Sequence, residues 1–62
     1  MKNAEHIYID LGYKYEQARS LETGQAVAHA IRTLLEAEAI EDRADARYLV
    51  ERGRREARGV TA

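Results

Sequence analysis

The sequence predicts a small all-α domain: three helices, or a helical hairpin, completed by pairing with a second copy. Three observations carry that reading. Proline is absent, and the strong helix formers Ala, Leu, Glu, Arg and Gln dominate residues 16 to 58. Apolar residues recur at helical spacing in residues 25–39 and again in residues 42–58. Finally, the chain has 62 residues and no cysteine. A domain this size buries only about 60% of the surface its unfolded form exposes. Without disulfides, oligomerisation is the remaining aid, and a homodimer is expected. Residues 1–62 make one domain at most.

The first element is the hardest to read. As a helix near 4–22, its apolar residues Ala4, Ile7, Tyr8, Leu11, Tyr15, Ala18 and Leu21 share one broad face, with Lys14 intruding. Asn3 suits its N-cap. Gly12 costs about 1 kcal/mol relative to alanine inside a helix, and Ile9 and Tyr13 fall on the solvent side. The alternative is a strand over 6–11. The segment "HIYIDLGYKY" also alternates in twos, and Ile and Tyr favour strands. A lone strand needs a second chain to pair with, so the two readings differ in assembly as well as in shape.

The second element is the most secure. In "QAVAHAIRTLLEAEA", residues 25–39, Val27, Ile31, Leu34 and Leu35 form a helical stripe that Ala28 widens. Thr23 is the expected N-cap, and Gly24 also suits the residue after the end of the preceding helix. The third element, 42–58, buries Ala46, Leu49, Val50, Gly53 and Ala57. Asp42 or Asp45 caps it, and Arg54, Arg55 and Arg58 complement the negative end of its dipole. The connecting "AIED" holds no obligatory break. One continuous helix over 25–58 would turn Ile40 away from the stripe, which favours two helices and a tight connection.

Charge narrows the function. Ten basic and eleven acidic side chains leave a net charge of −1, without the basic excess of a general nucleic-acid binder. Residues 1–39 carry −2 and residues 40–62 carry +1, a slight asymmetry. Apolar runs are only a few residues long, far short of the roughly 20 that cross a bilayer. No membrane role is expected, and the cytoplasm is the default compartment.

Two short stretches resemble known families. "TGQAVAHAIRTLLEA" resembles the second helix of ribbon-helix-helix repressors and antitoxins, in which a glycine turn precedes that helix. The resemblance would cover residues 6–38 and implies paired strands in the DNA major groove, with His6, Tyr8 and Asp10 pointing at bases. Asp10 opposes the phosphates, and Leu11 to Gly24 leaves little room for a first helix, so nucleic acid is not the favoured partner. Salt-sensitive binding to duplex DNA would distinguish that class. "HAIRTLL" resembles the phosphoacceptor box of sensor histidine kinases at His29, Ile31, Arg32, Thr33 and Leu35. It departs at Ala30, where the box is acidic, and at Leu34, where it carries proline.

Nothing in the sequence assembles catalysis. Ser20, Thr23, Thr33 and Thr61 lack positioned His–Asp companions. The acids Glu36, Glu38, Glu41, Asp42 and Asp45 miss the calcium-loop pattern and read as a hydrophilic turn. No enzyme, cofactor, metal site or small-molecule substrate is expected. The four tyrosines supply contact area of the kind common at interfaces, and "RGRREAR" offers arginines to an acidic partner. The expected function is therefore a non-enzymatic protein-binding regulator, adaptor or inhibitor. Size and Arg- and Ala-rich composition suggest a bacterial or phage source. The expected contacts are Ile9, Tyr13, Arg54 and Arg55; the rival is the DNA-binding repressor or antitoxin.

Overall fold

The computed structural model describes residues 4–61, and these fold as three helices: α1 (Glu5–Gln17), α2 (Leu21–Ala37) and α3 (Ile40–Thr61). The all-α expectation holds. Residues 6–11 lie inside α1, so the strand alternative fails, and with it the ribbon on which the DNA-binding rival rested. Residues 25–58 are two helices and not one, because Glu38 is extended and breaks the ladder. Asn3, the expected first cap, lies outside the described residues. The position before α1 is Ala4, which makes no side-chain cap.

Local contacts set the ends of the helices. The first helix was expected to run to residue 22, but it stops at Gln17, where Ala18 turns extended and its N–H returns to the Tyr15 carbonyl at 3.3 Å. Ser20, not Thr23, caps α2. Its Oγ accepts the Thr23 N–H at 3.1 Å while its hydroxyl donates to Thr23 Oγ1 at 2.8 Å. This earlier start draws Leu21 and Gly24 into α2, so Gly24 ends no helix. Likewise α3 begins at Ile40, ahead of both expected caps, and leaves Glu41 and Asp42 in its first turn, where their charge suits the dipole. At the far end it continues past residue 58.

α2 carries no basic residue in its own last turn. Arg43 supplies one from α3. Its Nε donates to the Leu35 carbonyl and its Nη2 to the Glu36 carbonyl, each at 3.1 Å. The Glu36 carbonyl at the helix end thereby gains a donor, and the Leu35 carbonyl, which already accepts the Glu38 N–H at 3.2 Å, gains a second one.

The helices run up, down and up. Tyr8 packs with Ala46 and Val50, Gly12 lies against Val50, and Glu16 reaches Arg54 across 38 residues of sequence. Residue numbers therefore climb together along α1 and α3, which makes the two helices parallel. α2 returns antiparallel, so that Tyr8 near the start of α1 meets Leu34 and Glu38 near the end of α2.

Most interhelix contact is between α1 and α3, and glycine explains why. A Cβ built on Gly12 would overlap the Val50 carbonyl oxygen, and one on Gly53 would overlap that of Ile9. Each glycine admits the other helix's backbone, as larger residues could not. The price in helix propensity at Gly12 is met by this contact. The resulting core is small: Tyr8, Ala46, Val50 and Ala57 are buried, flanked by Ala4, Ile31, Leu35 and Leu49. α2 contributes no fully buried residue.

Candidate protein-binding faces

The crossing sets the rotation of α1. Its Tyr8–Gly12–Glu16 line faces α3, about a quarter turn from the centre of the apolar face expected from the sequence. Ile7, expected to be inside, is 48% exposed, whereas Ile9 and Tyr13, expected in solvent, are half-buried. The carbonyl of Ile9 and the amide of Tyr13 both lie against Gly53. Their side chains join His6, Ile7 and Asp10 around an open groove of about 650 Å³. Two of the four expected contact residues are thus brought together on one mostly apolar face.

The two arginines are elsewhere. Arg54 is held within the chain: Nε donates to Glu16 Oε1 at 2.6 Å and Nη1 to Glu51 Oε1 at 2.8 Å. Its guanidinium also lies 5.0 Å from the centre of the Tyr15 ring. The hydrogen bond to Glu16 pushes the Arg54 pKa above its ordinary value against partial desolvation, with Glu51 adding to the rise. Arg58 stands 3.5 Å from the same Glu16. This cluster clamps the ends of α1 and α3 together. Arg55 is exposed and sits 5.6 Å over the Tyr48 ring on the outer side of α3.

Of the residues on the apolar face expected of α1, Tyr8 is the one that is fully buried. Only 1% of it is exposed, and its hydroxyl donates to Glu38 Oε2 at 2.8 Å, with the Leu34 carbonyl at 3.2 Å as a second acceptor. Burial, then the bond to Glu38 and its charge, push the phenol pKa up to about 12. Glu38 belongs to the acidic turn, so one of those carboxylates orients a core side chain. Among the described residues no group of three or more His, Asp or Glu could hold a metal ion. His29 is exposed on α2, its carbonyl accepting from Thr33 Oγ1 at 2.9 Å.

A second groove, of about 340 Å³, runs between α2 and α3. Ala28, Ile31 and Leu35 form its apolar part, and Arg32, Arg43, Arg47 and Glu36 its polar part. No signal in the one-dimensional pattern announced it, because the arginines come from two helices whose relative rotation the sequence does not state. No helix among the described residues is long and apolar enough to cross a membrane. No family model matches the chain, and neither the curated proteins nor the solved structures yield a match.

Proposed function

We propose that this chain is a non-catalytic protein-binding module, a small regulator, adaptor or inhibitor of bacterial or phage type, that pairs with a second copy through α1. The observation that carries the reading is the open apolar groove of Ile7, Ile9 and Tyr13 on a molecule with little core. Surface area supports it. The chain exposes 4593 Å², against about 4,000 Å² for a compact monomer of 7.0 kDa. The excess is roughly 600 Å², against the about 800 Å² that each partner contributes to a standard interface.

Sedimentation equilibrium tests the pairing. The apparent mass should rise from 7.0 kDa toward twice that value as concentration increases from micromolar to millimolar. Ile7→Glu should hold the chain at monomer mass with its helical circular dichroism intact, because Ile7 is already half exposed in the single chain. A wild-type chain that stays monomeric throughout, or an Ile7→Glu variant that still dimerises, contradicts the reading.

A further inference from the structure

α2 is the most strongly amphipathic of the three helices, yet it buries no residue fully. The glycine crossing draws α3 onto α1, and α2 meets α3 only lightly. Along that seam Ile31 and Leu35 touch the core on one side and leave the groove apolar on the other.

The charge around the groove is one-sided. Arg43 is fixed at one end by its bonds to the Leu35 and Glu36 carbonyls, which leave its positive charge in place. Among the described residues, Arg32 and Arg47 take part in no ion pair and no side-chain hydrogen bond. Glu36 is the single acid in the lining. Three arginines against one glutamate make a local positive field on a chain whose net charge is −1. Ile40, three residues before Arg43 and seven before Arg47, lies on the same side of α3 and is 78% exposed, extending the apolar strip.

We infer that this groove binds an acidic amphipathic segment of another protein. Apolar side chains one helical turn apart would lie on Ala28, Ile31 and Leu35, in the manner of a helix laid in a groove. Carboxylates beside them would meet Arg32 and Arg47, whose planar guanidinium groups suit bidentate pairing. A second copy docked face to face here would set like-charged rims against each other. Nucleic acid would gain nothing from the apolar floor of Ala28, Ile31 and Leu35, which favours an amphipathic peptide over it. The inference rests on the protein-binding reading and adds a second face, with its own chemistry, to the α1 groove.

The test uses the full chain, labelled with ¹⁵N. The probe is a fluorescein-labelled amphipathic peptide of leucines at helical spacing flanked by glutamates. A control peptide keeps the leucines and replaces each glutamate with glutamine. The glutamate peptide should bind about tenfold more tightly by anisotropy, a difference of about 1.4 kcal/mol, and should shift amides of residues 28–36 and 43–47. The Arg32→Gln, Arg47→Gln double variant should lose that preference while its helical circular dichroism stays unchanged. Equal affinity for the two peptides overturns the inference, as does absence of binding or shifts confined to residues 6–13. So does a double variant that changes the oligomeric state, which would assign the groove to a second copy, or a preference for duplex DNA over the peptide. If the peptide fails while wild-type dimerisation holds, this inference falls and the protein-binding reading stands.

Discussion

At the scale of single residues, Tyr8 ties all three helices together. Its ring fills the space between Ala46 and Val50, and its hydroxyl reaches the end of α2. Its titration gives a prediction whose sign is definite. An unfolded Tyr8 ionises near 10.0, whereas the folded one keeps its proton until about 12. The unfolded chain therefore loses this proton first as pH rises. The contribution to stability is complete below pH 10 and disappears between there and about 12. Urea midpoints should fall through that window in the native chain and fall less in Tyr8→Phe. Equal alkaline losses in the two proteins would show that Tyr8 is not the group responsible. Arg54 teaches a related lesson. Its place in an arginine-rich run suggests an outward hand, but Glu16, distant in sequence, holds it half-buried against the end of α1.

At the scale of elements, the glycines decide how the helices meet. In an open helix, glycine to alanine gains up to about 1 kcal/mol. At Gly59, where nothing lies within 4 Å of a new Cβ, alanine should stabilise by up to that amount. At Gly12 the same change drives a methyl group into the Val50 carbonyl and should destabilise by about 1–3 kcal/mol, as overpacking does. In a domain this small each kcal/mol moves the melting temperature by about 4–8 °C. Opposite shifts in the two variants are expected, and a stabilised Gly12→Ala would refute the close approach.

The existence of the second and third helices was legible in the sequence, because their apolar stripes repeat over three turns or more. Their ends were not. Ser20 and Thr23 are both good caps, and only the turn at Ala18 decides between them. Ile9 and Tyr13 do line one groove, but they are half-buried beside Gly53 and not on the open solvent side that the α1 pattern alone suggests. Gly12 counted as a cost when α1 was read alone, and its benefit becomes visible only when α3 lies against it. The α2–α3 groove stayed hidden for the same reason, since it depends on how two helices rotate about their axes.

At the scale of the whole molecule, one choice organises the account: α1 and α3 lie parallel, in backbone contact at Gly12 and Gly53. That contact spends the small residues of both helices on each other and leaves larger apolar side chains, Ile7, Ile31 and Leu35 among them, only partly covered. It aligns two helix dipoles side by side. Glu5, Glu41 and Asp42 at the shared N-terminal end and Lys14 and Arg58 near the other offset the repulsion. The groove between α2 and α3 follows from the same crossing, because α2 is left meeting α3 only lightly. The most direct test is a nuclear Overhauser spectrum of the full chain, recorded on a uniformly labelled sample and on a mixture of labelled and unlabelled chains. Cross-peaks should join the Gly12 α-protons to Val50, and the Gly53 α-protons to Ile9 and Tyr13, all within one chain. Gly12 cross-peaks confined to its own helix, or contacts that appear only between chains, would contradict the account.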